Sequence, residues 1–593
     1  MKVLDKFLKI IFIVQLFYIG VSYGLLGSIL SYYDFIVVGS GVAGGIIVDR
    51  LSAQGYNVLL LEAGGPSIAE LDGMEYVGTK GTFNPTTMTY KPQRPITKAE
   101  VPLYWQTISG IGEKWDIKGA GVGKMIGGSG THNGMVYQRG VDDDYNNWNV
   151  TGWAWNDMLP YFKKVETVLD ESLQNDPTRG YSGAIKVKSI PFDVEGSDFI
   201  KSCQASGLPL NNNFNQVNYR DGCGYYQFNI NQDGERSSTA KEYLVRASKR
   251  NNVQVIYRAT VTRIKWTFNL LKNRYDATGV EYVKDNQTFT VTMKKEIILS
   301  AGALNTPKIL LNSGVGDGTY LSQYSSQIPL IKHLPGVGKN LQNHVMVFNT
   351  WNYSNCMEDA KKPNYYNLFS IDLEYSSAGA GILGTPGYSV GVWLRGNYSV
   401  AQTENLAAIF PGSPGGAFKH PVISLAISLA HPTNIHQVVL SNYTAGEPLI
   451  NFLQKPSVLL LKPIHNEEVQ TLVRGIKESR RILSYPPLVN QVTPFIPDNS
   501  YQTDQDLEDW VRSNAINHEH WSASCKMGMV NDPTAVVGPN LKVIGVGKVR
   551  VVDASIMPKI THSLVQATVM AIGEKASDLI ISDYTGNSII SDL

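Results

Sequence analysis

The chain has 593 residues, with 52 Lys and Arg against 51 Asp and Glu, 43% apolar residues and 17% charged ones. A formal charge of +1 gives no electrostatic footprint for nucleic acid or an anionic membrane. The apolar content excludes a disordered chain, and the length exceeds what one core serves, so two or more structural units are expected.

At the N-terminus, Lys2, Lys6 and Lys9 precede the apolar run Ile10–Val21 and the small residues of Ser22–Gly27. This is the layout of a secretory signal peptide over residues 1–24. The run is short for a bilayer span, and the alternative is an uncleaved anchor. No later segment reaches spanning length without charge or Pro. A secreted, extracellular protein is expected, with no membrane span after cleavage. Five Asn-x-Ser/Thr sequons fit that route, at Asn149, Asn286, Asn352, Asn397 and Asn442. The four cysteines, Cys203, Cys223, Cys356 and Cys525, show no metal-ligating spacing, and no metal is expected. Cys203 and Cys223 are either a disulfide or two buried thiols.

The first folded element is predicted at Phe35–Val38, a β-branched run suited to a buried parallel strand. Gly39, Gly41 and Gly44 follow as GxGxxG, then Ile46–Ala53 with helical apolar spacing, then a second buried strand over Asn57–Leu61 ending at Glu62. Gly39 permits a tight turn, Gly41 lets a pyrophosphate approach the backbone, and Gly44 lets helix and strand pack closely. Val42 and Ala43 open the helix whose N-terminus faces the phosphates. Glu62, with Ala63 beside it, stands where a carboxylate accepts hydrogen bonds from ribose hydroxyls. The pattern predicts a Rossmann-like dinucleotide site. It does not separate NAD from FAD.

Residues 123–166 narrow the choice. Gly127-Gly128-Ser129, Asn133, Met135, Tyr137, Arg139-Gly140, Asp144-Tyr145, Trp148, Gly152-Trp153 and Leu159-Pro160-Tyr161-Phe162 resemble the glucose–methanol–choline oxidoreductase family. So do the segments 302–316, 336–344, 524–528 and 549–558, and the resemblance runs through nearly the whole mature chain. It implies a tightly bound FAD that accepts a hydride from a CH–OH group. It places Gly127 and Gly128 against the flat ring system, Ser129, Asn133 and Val136 around the flavin, Val261 on a strand 253–264 beside the adenine, and Asp553 and Ala554 beside the ribityl chain. Plain core packing is the alternative for Val261.

His132 stands where most members carry an aliphatic residue. Choline-oxidase-like members carry His, bonded covalently to the flavin, so the resemblance implies a covalent FAD; the alternative is a His that only packs near the ring. His520 matches the family's catalytic histidine, and an imidazole near neutrality suits removal of the alcohol proton. Trp521, Ala523 and Ser524 depart from the family around it, and Trp521 suggests a flat or aromatic alcohol. The second catalytic position falls on Leu564, which donates no hydrogen bond. His562 is the candidate replacement, Gln566 the other, and a single-histidine enzyme the third possibility.

The expected fold is α/β combined with α+β: a Rossmann-like FAD-binding domain in pieces, 31–195, 225–345 and 525–585, interrupted by a substrate domain, 196–224 and 346–524, built on an antiparallel sheet. Val422–Leu429 and His436–Leu440 suit strands of that sheet, His465–Leu483 a helix, and 351–420 a lid-like irregular stretch. The expected partners are a small alcohol or cyanohydrin and O2 or another electron acceptor. The expected assembly is a monomer or homodimer. Three readings compete: alcohol oxidation; cyanohydrin cleavage or oxidation, because His518-Glu519-His520 echoes the His-x-His-Gly of hydroxynitrile lyases of this fold; and a non-catalytic secreted relative, which the presence of His520 opposes.

Overall fold

The computed structural model describes residues 32–586, apart from 74–75, 85, 88, 106–113, 118–119, 192–193, 217–219, 354–374, 377, 395–397, 405–421, 443–448, 450–452 and 454–463. The signal-peptide segment, Asn397, Cys356 and most of the lid-like stretch lie outside the described residues.

Two sheets organise the molecule. In the first, Val253–Ile256, Val58–Leu61, Tyr33–Val38, the second half of Gln287–Leu299, and Val549–Val551 lie side by side in parallel. Phe35 to Val38 pair with Val58 to Leu61 and with Glu296 to Leu299. Their side chains are buried on both faces, which is why these strands read as unbroken apolar runs. The first half of Gln287–Leu299 continues instead into an antiparallel meander with Arg274–Lys284 and Thr260–Asn269. Helices Val42–Ala53 and Gln566–Thr585 pack together, and a Cβ on Gly573 would stand 3.2 Å from Ala43 Cα. The parallel strands end together at Val38, Leu61, Leu299 and Val551. Their carboxyl edge is where open α/β sheets bind ligands.

The strand expected over 253–264 is two strands. Val253–Ile256 belongs to the parallel sheet and Thr260–Asn269 to the meander. Arg258 breaks the run with a left-handed φ of +53°, and its apolar neighbours hid the turn.

The second sheet is antiparallel throughout: Val345–Tyr353, Val422–Leu429, Tyr398–Glu404, Val390–Trp393 and Gly222–Tyr225 in order, with Val492–Ile496 and Ile516–Asn517 both pairing onto Val345–Tyr353. Side chains alternate across it. Val345, Val347, Leu425 and Ile427 are buried in one core with Val469, Leu472 and Ile476 of the helix Asn466–Leu483. Met346, Phe348, Ala426 and Ser428 face the other way, into a cavity. His436–Leu440 is not a strand of this sheet: His436 makes only a bridge to Leu341, exchanging two backbone hydrogen bonds with it. Cys203 and Cys223 are buried thiols, and Cys223 Sγ donates to Ile200 O at 3.7 Å and Pro209 O at 3.6 Å. Among the described residues no helix is long and apolar enough to cross a membrane.

Candidate active site

One cavity of about 660 Å³ runs from the carboxyl edge of the parallel sheet to the open face of the antiparallel one. At the first end, Gly39 turns the chain with a φ of +92°, which a side chain would strain. A Cβ on Gly44 would sit 2.1 Å from Gly39 O, so the helix can approach the turn only with Gly there. A Cβ on Gly41 would meet nothing nearer than Ser300 O at 3.6 Å. The space beside Gly41 is therefore cavity, not protein packing, as a pyrophosphate requires.

Glu62 lines the same end, buried. It accepts from Ser40 N at 2.9 Å and from Gly64 N at 2.7 Å. Burial pushes its pKa up, against those hydrogen bonds. Asp553 accepts from Gly302 N at 2.9 Å and from Thr306 Oγ1 at 2.6 Å, and burial raises its pKa as well. Val42, Ala43, Ala63, Gly128, Ser129, His132, Asn133, Val136, Val261 and Ala554 also line the cavity. Two expected cofactor contacts do not. Gly44 packs against the turn behind the wall, and Gly127 lies where a Cβ would strike Thr131 Cγ2 at 2.5 Å. Gly127 instead donates its N–H to Ser40 Oγ at 2.9 Å, so it supports the loop that presents Gly128.

His132 is packed against Gly123, where a Cβ would come within 2.5 Å of its ring. Its Nε2 is buried without a protein partner, and burial, aided by Arg236, lowers its pKa to about 4. Arg236 gave no signal in the sequence. It is fully buried and donates from Nη1 to Asn133 O and Oδ1 at 2.8 Å each, fixing the side chain that also bonds Gln566.

At the far end, segments 342–344 and 518–522 run antiparallel, joined by Gln342–Ser522 backbone pairs and by His518 N to His344 O at 3.0 Å. They bring together His344, His518 and His520, all cavity-lining. His344 Nε2 lies 3.0 Å from Thr561 O, and its Nδ1 lies 2.8 Å from His520 Nδ1. A carbonyl only accepts, so Nε2 of His344 carries the hydrogen. Burial, then the neighbouring His518, lowers the pKa of His344 to about 3, so the ring is neutral and its Nδ1 is a lone pair. His520 Nδ1 must donate to it. This assignment leaves His520 Nε2 as the basic nitrogen toward the cavity. Burial, His518 and His344 hold the His520 pKa well below its ordinary value. Asn343 Oδ1 accepts from His520 N at 2.7 Å.

Leu564 does line the cavity, and so does His562. The Nδ1 of His562 is bound by the buried Asp144 carboxylate, and its ring stacks on His431 at 4.2 Å. Gln566 is engaged with Asn133. His344 and His518 were present in recognised motifs, but no spacing assigned them this contact. Five aromatic side chains also line the wall, Trp105, Tyr226, Phe348, Tyr388 and Trp393, beside Met346, Ala426 and Ser428. Tyr388 donates to Gly134 O at 2.8 Å.

A Rossmann cradle opening onto a histidine cluster is the layout of a dinucleotide-dependent oxidoreductase. Residues 33–346 and 451–573 match the two GMC oxidoreductase family models, and the chain belongs to that family: it is an FAD-dependent oxidoreductase acting on a CH–OH group. It is 31% identical to the glucose dehydrogenase (FAD, quinone) of Drosophila melanogaster over 579 residues, covering 92% of this chain and 86% of that one. It is 30% identical to the oxygen-dependent choline dehydrogenase of Staphylococcus xylosus, covering 92% and 94%. Pyridoxine 4-oxidase from Mesorbium loti shares the fold with a TM-score of 0.71 at 23% identity, covering 92% of this chain and 98% of that one. A fungal aryl-alcohol oxidase does so with a TM-score of 0.70 at 22% identity, covering 93% and 99%.

Proposed function

We propose that this protein is a secreted oxidase of a small, uncharged alcohol carrying an aromatic ring, with O2 as the electron acceptor and hydrogen peroxide as the product. The observation that carries the reading is His520, its Nδ1 held by His344, lining a cavity shared by the cofactor cradle and aromatic side chains. FAD, held by Gly39, Gly41, Glu62, Asn133 and Asp553, would supply the hydride acceptor. The protein's part is to hold the alcohol between the aromatic rings and His520 and to receive the hydroxyl proton on Nε2, contributions worth about 10²–10⁴ in rate for a general base. The cavity-lining carboxylates support an uncharged substrate over a quaternary ammonium one. Glu62 and Asp553 are tied to backbone N–H groups, and Glu519 accepts from Trp521 Nε1 at 2.8 Å. Secretion is supported by the N-terminal basic and apolar segments, and by sequons at Asn149, Asn286 and Asn442 that are exposed.

A covalent link from His132 to FAD is part of the proposal, supported by its buried, unpartnered Nε2. Acid or detergent denaturation tests it: colour stays with the polypeptide, and full release of flavin removes the link. The activity is tested by mixing the anaerobic holoenzyme with aromatic alcohols, choline, glucose and cyanohydrins. Aromatic alcohols bleach the flavin and air restores it. Bleaching only by choline or glucose would end the substrate assignment. A second reading is a cyanohydrin lyase or oxidase such as a mandelonitrile oxidase. It is favoured by one observation, that the rings of His518 and His520 lie 4.1 Å apart beside the cavity. Release of cyanide without bleaching identifies the lyase.

A further inference from the structure

In place of the residue lost at Leu564, two imidazoles compete for the role of hydrogen-bond donor to the reacting oxygen. They differ in how they are held. His562 has its Nδ1 and its backbone N–H both committed to Asp144, and its ring is stacked on His431. His518 is stacked directly on the base, with ring centroids 4.1 Å apart and an interplanar angle of 41°. Its Nδ1 lies 3.0 Å from Ser428 Oγ. Ser428 projects from the cavity face of the antiparallel sheet, two residues beyond Ala426. His518 and His344 are the groups whose charge opposes protonation of His520, whereas His562 bears on His344.

We propose that His518 is the second catalytic residue, donating from Nε2–H to the substrate oxygen, with Ser428 setting its tautomer. The Ser428 hydroxyl donates to His518 Nδ1, which keeps that nitrogen a lone pair and places the ring hydrogen on Nε2. Both imidazoles line the cavity, and in this assignment one oxygen meets both: His520 Nε2 accepts and His518 Nε2–H donates. As the carbinol C–H bond breaks, its electron pair leaves as hydride for the bound FAD. The O–H proton passes to His520 Nε2, and the C–O bond becomes C=O. Negative charge gathers on the oxygen during this step, and a pre-aimed N–H stabilises it without reorganisation. The substrate loses one hydride and one proton, that is two electrons and two protons in all, to groups already named, so no further reactant is needed. His562, held on Asp144, is a wall residue of the same cavity.

This assignment rests on the alcohol-oxidation reading, and the test separates the two. Anaerobic stopped-flow reduction of the holoenzyme by an aromatic alcohol is compared in wild type, His518→Ala, His518→Gln, Ser428→Ala and His562→Ala. His518→Ala lowers the limiting reduction rate by about 10²–10³ with little change in substrate Kd, as for loss of an oxyanion donor. His518→Gln, which keeps an N–H donor, recovers part of it. His562→Ala stays within a few-fold of wild type. A large loss in His562→Ala with His518→Ala near the wild-type rate would overturn the assignment. Independently of turnover, ¹⁵N shifts of the histidine rings report which nitrogen carries the hydrogen. The expected result is Nε2–H on His518, lost to a mixture in Ser428→Ala, and Nδ1–H on His518 in the wild type would overturn it. If no alcohol reduces the wild-type flavin, it is the function that fails, while the ring shifts still decide the tautomer.

Discussion

His344 touches neither the cradle nor the aromatic wall in any hydrogen bond, yet the rate should depend on it. Replacing it by Ala removes the acceptor 2.8 Å from His520 Nδ1 and the donor 3.0 Å from Thr561 O. Each buried polar group left unpaired costs about 1–3 kcal/mol. For His520 that cost falls on one tautomer only, the one with Nδ1–H and a basic Nε2. Losing about 1–3 kcal/mol of preference, at about 1.4 kcal/mol per decade, cuts the competent fraction by about 5- to 150-fold. Single-turnover reduction of the holoenzyme by an aromatic alcohol should slow by that factor. His344→Asn, which retains an acceptor and a donor, should recover part of the rate. Because His344 acts through His520, the loss should vanish in a His520→Ala background, itself slower by about 10²–10⁴. An equal loss from His344→Ala with and without His520 would refute the tautomer argument.

Acid should weaken the fold early. His132 and His518 have pKa values lowered to about 4 and His344 to about 3, by burial first in each case. The unfolded chain binds protons as pH falls through about 6.5, and the folded one does not until near 4. Each of these histidines therefore removes up to about 1.4 kcal/mol of stability per pH unit across that window. Thermal melts at pH 7.5 and pH 5 should show a marked drop in Tm, and equal melting points would count against neutral, buried rings. Gly41→Val and Gly44→Val should behave differently. The first has room for a side chain and should yield folded protein lacking flavin absorbance; the second meets Gly39 O at 2.1 Å and should yield little folded protein. Similar flavin content in both variants would contradict the assignment of the space beside Gly41. Arg236→Leu should remove the donors to Asn133 O and Oδ1 and lower the flavin bound per polypeptide, measured as the ratio of flavin to protein absorbance in the purified protein. Unchanged binding would remove Arg236 from the cradle.

Much of the cofactor end was legible from local pattern. A buried strand, a glycine turn and an acid at the end of the next strand are neighbours along the chain. Phe35–Val38, Gly39, Gly41 and Glu62 could be placed from their spacing alone, and the family motifs carried His132, Asn133, Asp553 and His520 with them. At Gly127 spacing says that a glycine is required without saying what a side chain would meet, which is Thr131 and Ala240. The strand over 253–264 was misjudged because a single left-handed residue, Arg258, divides an otherwise continuous apolar pattern.

The proton-transfer end was only half legible. His520 could be named, and Leu564 marked a missing partner, but the count of residues along one segment pointed to His562. The contacts that assign roles join residues far apart in the chain: His344 to His520 across 176 positions, Ser428 to His518 across 90, Asp144 to His562 across 418. The sequence by itself determined the cofactor class and the family, and named the histidine proposed as base, because those depend on residue type at short spacing. Only the tertiary structure decided which nitrogen of His520 is basic and which imidazole stands beside it. A tautomer is set by the partner of the opposite ring nitrogen, and that partner arrives from another strand.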